Sequence, residues 1–310
     1  MVTVRQRLSR LARPLRRLNP RWRRWEGFLH SLPLDPDALP RPLPSPGARD
    51  FIICGSPRSG TTLAAAMLWQ PPRCVTVMEP WDGMRLAPAA LFGAIRREIA
   101  DTGGLSRGKL DVPALLAEGA VRWWREGQQP LEVATEPDYL LGVKWPGYWR
   151  FLELLPETKF VLCLRHPVET IASFKTSGER LSQGLNYDTA FNRSMNEHLL
   201  RTTRDEALRR VLLFDYIAAR ILPCLGRPNV FLLRYERWFS EREALMRELS
   251  AFLGAELGMG APILRPSRST AALTAEELAL IRAYCTTASA LGYDLDGSAP
   301  RAAVRAGGAA

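Results

Sequence analysis

The apolar residues of this chain fall into short dense blocks separated by stretches with helical spacing. Asp50-Phe-Ile-Ile-Cys54 is a compact apolar run that ends at a glycine loop, as a strand buried on both faces would. Tyr139-Leu-Leu-Gly-Val-Lys144, Lys159-Phe-Val-Leu-Cys-Leu164 and Asn229-Val-Phe-Leu-Leu233 repeat that pattern. Helical stretches lie around them, over Thr62–Trp69, from Pro167 onward, over Asp205–Leu222 and Glu241–Leu253, and last over Ala275–Ala288. Short apolar strands alternating with helices predict an α/β protein: three αβα layers around a central, mainly parallel sheet. Ligands of such sheets bind at the carboxyl ends of the strands.

Polar and proline-rich stretches set the expected boundaries. Residues 31–48 read as a linker and residues 289–310 as a disordered tail, leaving one domain over 49–288. The net charge of +10 is a property of the first thirty residues, which hold nine arginines against one acid, Glu26. The domain itself is close to neutral, so no nucleic-acid partner is expected. In the arm, Leu8, Leu11, Leu15 and Leu18 recur at helical spacing among the arginines, with Pro14 interrupting. Two readings stay open: a solvated, disordered arm, or a basic segment in peripheral contact with an anionic membrane. No run is long and apolar enough for a signal peptide or a spanning helix. The five cysteines are dispersed without a C-x-x-C pair, so neither a zinc site nor a disulfide framework is expected. Cys54 and Cys163 lie in strand-like runs and read as small buried hydrophobes. A cytoplasmic location follows, with the inner membrane face as the surface the arm would meet.

Gly55-Ser-Pro-Arg-Ser-Gly-Thr-Thr62 has the outline of a phosphate-binding loop, placed between a strand and a helix. Two glycines allow close backbone approach, Ser59, Thr61 and Thr62 supply hydroxyls, and Arg58 supplies a cation. A Walker loop would have lysine where Thr61 stands, and no acidic strand end offers a metal ligand. The later strands end instead at Lys144, Arg165 and Arg234. Cationic strand ends suit a polyanion held without a metal.

The pair GSPRSGTT and, about a hundred residues later, LRHPVETIASF resembles the sulfotransferases that use 3′-phosphoadenosine 5′-phosphosulfate (PAPS). The resemblance spans roughly residues 50–270 and implies a P-loop-type fold. It implies that Pro57, Arg58, Ser59, Gly60, Thr61 and Thr62 hold the 5′-phosphosulfate, and that Arg165 and Ser173 hold the 3′-phosphate. It also implies that Tyr235 lies near the adenine, and that Ser267, Arg268, Ser269 and Thr270 belong to a late loop closing on the 3′-phosphate. Lys144-Trp-Pro146 is similar to the Lys-x-Pro of the tyrosylprotein and carbohydrate-type branches rather than to the Lys-Thr-His of cytosolic enzymes. Those branches take their base from an earlier loop, and the matching position here is Glu79. Ser177, however, stands where the tyrosylprotein branch has an arginine. His166 occupies a position usually Asn or Asp, which implies a helix-capping role, and His198 reads as a solvated or packed histidine. The implied reaction moves sulfuryl from PAPS, leaving adenosine 3′,5′-bisphosphate (PAP), to a hydroxyl on a small molecule, glycan or lipid-linked acceptor. Glu79 would take the proton, and Lys144 and Arg58 would meet the developing charge, with no metal. The region 81–138 is the expected acceptor pocket or cover. Two rivals remain: a small-molecule or nucleotide kinase, and a non-catalytic, membrane-associated nucleotide-binding protein.

Overall fold

The computed structural model describes residues 39, 41–110, 122–123, 129–177, 181–182, 184–185, 190–260 and 273–295. Nine strands are described: β1 Asp50–Gly55, β2 Cys74–Met78, β3 Gly104–Leu105, β4 Lys109–Leu110, β5 Arg122–Trp123, β6 Leu131–Glu132, β7 Leu140–Lys144, β8 Lys159–Leu164 and β9 Val230–Arg234. Seven form one sheet in the order β5-β4-β2-β7-β1-β8-β9. The five strands from β2 to β9 in that order are parallel, and β4 and β5 add an antiparallel margin. Strands β3 and β6 make a small separate pair.

Period-two alternation along β1 assigns its two faces. Ile52 and Cys54 join one buried cluster, and Phe51 and Ile53 the other. The first cluster is covered by α2 (Pro88–Thr102), α3 (Pro167–Thr176), α4 (Arg193–Thr202), α5 (Glu206–Ile221) and α8 (Ala275–Tyr284). The second is covered by α1 (Thr61–Met67), α6 (Arg237–Ser240) and α7 (Arg242–Leu253). This is the three-layer α/β architecture expected from the sequence.

Several details differ from that expectation. The sheet holds a fifth parallel strand, β2, whose five residues are all buried. Thr76 sits in its middle, and its hydroxyl donates to the Ala65 carbonyl of α1 at 2.7 Å, so a polar residue is satisfied inside the core. Helix α8 ends at Tyr284, four residues early. The Asp215 carboxylate accepts from the Thr287 N–H and from the hydroxyls of Thr286 and Thr287, which draws the chain out of helical geometry. Packing also runs past the 49–288 bounds: Leu43, Leu291 and Tyr293 are buried in the same core. The arm over 1–30 lies outside the described residues. Among the described residues, no helix is long and apolar enough to cross a membrane. The cysteines are all buried with free thiols, Cys54 and Cys163 among them.

Candidate active site

The chain leaves β1 to one side to form β2 and later returns to the other side for β8, so the β1 end is where the strand order reverses. A crevice at such a point is the usual ligand site of an open parallel sheet. Five segments meet there: the loop after β1, Glu79 after β2, Lys144 at the end of β7, Arg165 after β8 and Tyr235 after β9.

The loop is shaped by what its glycines avoid. At Gly55 (φ 148°) a Cβ would stand 2.1 Å from the Cys163 carbonyl oxygen, and at Gly60 (φ 93°) it would stand 2.5 Å from the Tyr235 ring. Between them Arg58 has φ 70° although it is not glycine. Ser59 is fully buried, and its hydroxyl has no hydrogen-bond partner among the described residues. A buried unsatisfied hydroxyl costs about 1–3 kcal/mol, which an acceptor oxygen on a ligand would relieve. Gly60 is the N-cap of α1, and no side chain caps that helix start. Thr61 is buried and Thr62 is half-buried beside it, while Pro57 flanks the loop, half-buried.

The second motif comes up against the first. Arg58 Nε donates to Ser173 Oγ at 3.3 Å. Arg165 is buried, donates to Glu169 Oε2 at 2.9 Å, and has its guanidinium carbon 4.4 Å from the Tyr235 ring centroid. Loop, Arg58, Ser173, Arg165 and Tyr235 therefore form one continuous cationic wall. His166 is the N-cap residue of α3, but its side chain makes no capping bond. Its ring Nε2 instead lies 2.9 Å from the Asp294 carbonyl oxygen, and its backbone N–H donates to Glu236. That contact with the Asp294 carbonyl replaces the capping role expected of it. His198 packs on Tyr216, with ring centroids 5.1 Å apart.

On the other side of β1, the parallel ladder brings two charges together. Met78 is in register with Lys144, and one residue on, the Glu79 N–H donates to the Lys144 carbonyl at 2.8 Å. The Trp145 N–H donates to the Ile53 carbonyl, so Lys144 also runs beside the end of β1. Lys144 Nζ donates to Glu79 Oε1 at 2.5 Å, with the lysine side chain 2% exposed and the glutamate 17%. Glu79 (φ 48°) and Arg58 are the only non-glycine residues with positive φ among those described. Burial pushes the Cys163 thiol up to about 12, although Lys144 pulls the other way, so this nearby cysteine stays a neutral thiol. Among the described residues, no group of three His, Cys, Asp or Glu is arranged to hold a metal ion. Ser267, Arg268, Ser269 and Thr270 lie outside the described residues.

The structure brings together all the described candidates in two groups, Arg58–Ser173 with Arg165–Tyr235, and Glu79–Lys144. The sequence reading missed Ser59's burial and the role of Trp145. Its ring packs against Gly83, where a Cβ would stand 2.6 Å from it, and this braces the segment after Glu79.

A phosphate-type loop and cationic strand ends thus meet at one crevice of this three-layer fold. The profile of the sulfotransferase family matches residues 50–258, well over half of the chain. The protein belongs to the sulfotransferase family. Among solved structures it is similar to a sulfotransferase from Alicyclobacillus acidocaldarius at 18% identity, covering 79% of this chain and 97% of that one, TM-score 0.36. It is also similar to sulfotransferase STF9 from Mycobacterium avium at 15% identity, covering 79% and 69%, TM-score 0.36. A third is mouse sulfotransferase SULT7A1 complexed with PAP, at 12% identity, covering 81% and 68%, TM-score 0.32. No curated protein sequence matches the chain.

Proposed function

We propose that the protein transfers a sulfuryl group from PAPS to an acceptor hydroxyl, with Glu79 as the base. The observation that carries this reading is the Glu79–Lys144 pair at the ends of β2 and β7, beside the loop that leaves β1. PAPS would supply a sulfuryl group whose bond to the 5′-phosphate oxygen breaks as the acceptor oxygen bonds to sulfur. Residues 57–62 fit the phosphosulfate end, since Ser59 offers a buried hydroxyl in want of a partner. Arg165 and Ser173 fit the 3′-phosphate, and Tyr235 offers its ring for the adenine. Glu79 takes the acceptor proton as its oxygen attacks, because an alcohol is too weak a nucleophile without a base. Lys144 and Arg58 meet the negative charge that grows on the departing oxygen. Lys144 is buried, so its charge acts through little water and is correspondingly strong.

The acceptor is a hydroxyl compound admitted from the 81–138 side, and a lipid-linked acceptor would suit the basic arm over 1–30. Loss of liposome binding on removing residues 1–30 supports that arm's role, and unchanged binding removes it. The central test is calorimetry with PAP in the absence of metal, beside ATP with Mg²⁺. PAP binding that Arg165→Ala abolishes supports the donor site. A preference for ATP overturns it and favours phosphoryl transfer.

A further inference from the structure

Arg107 lies outside the groups assigned so far, yet it is held between carboxylates from two different elements. Its guanidinium bonds Asp82, in the short 3₁₀ turn over Trp81–Met84, and Glu98 of α2. Glu98 accepts further bonds from the Ser106 N–H at 2.7 Å and from the Ser106 hydroxyl. Residues 106 and 107 are thereby fixed to α2 and to the turn three residues beyond Glu79. The next residue, Gly108 (φ 75°), lies flat on the backbone that carries Glu79. A Cβ there would stand 2.5 Å from the Met78 oxygen, 2.7 Å from the Glu79 oxygen and 2.8 Å from Pro80 Cα. Lys109 then pairs with Met78 across the antiparallel margin. Glu79 itself sits at φ 48°, a left-handed conformation that is strained for a non-glycine residue and persists only where the surroundings enforce it.

We infer that Arg107 is a positioning residue for Glu79. By tying Asp82 to Glu98, it presses the 106–109 turn onto the backbone of 78–80 and holds the carboxylate toward Lys144. Arg107 is 25% exposed, and Asp82 and Glu98 are 26% and 13% exposed, so the bridge is shielded enough to resist screening. A guanidinium fork can bond two carboxylates at once, whereas an ammonium is a single point charge. The inference rests on the reading of Glu79 as the base.

Amide exchange on the full chain, read by mass spectrometry, tests the clamp without any acceptor. Arg107→Gln should raise exchange over residues 78–86 by about tenfold and leave residues 55–62 unchanged. Unchanged exchange over 78–86 overturns the inference. Arg107→Lys, measured beside it, should fall between the two and stands in if the glutamine variant does not fold. PAP release from PAPS with water as the sulfuryl acceptor separates positioning from mere stability. Arg107→Gln should slow it by about tenfold in the native background and by nothing further in Glu79→Gln. An equal loss in both backgrounds also overturns the positioning role. If Glu79→Gln matches the native rate, the base reading has failed, and exchange alone still decides the clamp.

Discussion

The two sides of the crevice are built by different means. On the β8–β9 side, Arg165 and Ser173 are set by local spacing, while Arg58 reaches Ser173 from the loop after β1 and Tyr235 reaches Arg165 from the end of β9. Arg165 ends one strand, and Ser173 follows eight residues later on the next helix. On the β2–β7 side, Glu79 and Lys144 are 65 residues apart in sequence and meet only because two parallel strands share a register. A motif can encode the first arrangement. The second depends on strand register across the sheet, and, by the inference above, on a turn at 106–109 that packs on Glu79 but lies far from it in sequence. The Arg165–Ser173 spacing is therefore written in one short stretch of chain, and the Glu79–Lys144 pair is held by tertiary structure.

The largest effect expected from breaking this contrast is on Glu79. Glu79→Gln should lower sulfuryl transfer by roughly 10²–10⁴-fold while PAP affinity stays within about twofold, measured by PAP release and calorimetry. Equal losses in both would merge the two sides into one. Arg165→Ala should do the reverse, weakening PAP by roughly 10²-fold because a charge-assisted contact is lost from a buried site. Gly60→Ala sharpens the contrast. Its Cβ would press on Tyr235 at a left-handed backbone position, so PAP affinity and melting temperature should both fall, by about 1–3 kcal/mol in stability. Amide exchange near Glu79 should not change in that variant.

The smallest effect concerns pH. Burial pulls the Glu277 carboxyl up, but the hydrogen bonds from Lys175 and the Thr274 amide, with the charges of Lys175 and Arg210, outweigh it and leave it below its ordinary 4.5. A depressed acid stabilises the fold above its unfolded value, and that stabilisation is lost as pH falls through the lower folded value. Glu277→Gln should thus cost about 1 kcal/mol at neutral pH, and the difference from the native chain should shrink below pH 4.5. Thermal melts across pH check this, and neither PAP binding nor transfer should respond.

Much of this was legible in the sequence, for physical reasons. Four of the five parallel strands are apolar runs that periodicity detects. Strand β2, no shorter than β7 or β9, escaped because Cys74-Val-Thr-Val-Met78 carries a threonine whose partner, the Ala65 carbonyl, is a tertiary contact. Helix α2 was missed inside the stretch left open as acceptor cover, although Leu91, Phe92, Ile95 and Ile99 recur at helical spacing. The loop was found by its glycine spacing, and Arg165 and Ser173 as a pair through the resemblance of the second motif. Glu79 was found only through resemblance, and nothing local to it announces Arg107 or Gly108, which act on it from another part of the chain.

Arg58 and Glu79 share one further property with a consequence for engineering. Both hold a left-handed backbone conformation that glycine or asparagine adopts more readily. A search for heat-resistant variants would be drawn to these two positions, where a change to glycine removes backbone strain. Those same changes would delete the cation of the loop and the carboxylate beside Lys144. On the roles proposed for them, durability and reactivity stand in opposition at two residues, and selection for hardiness alone would yield a tougher protein without chemistry.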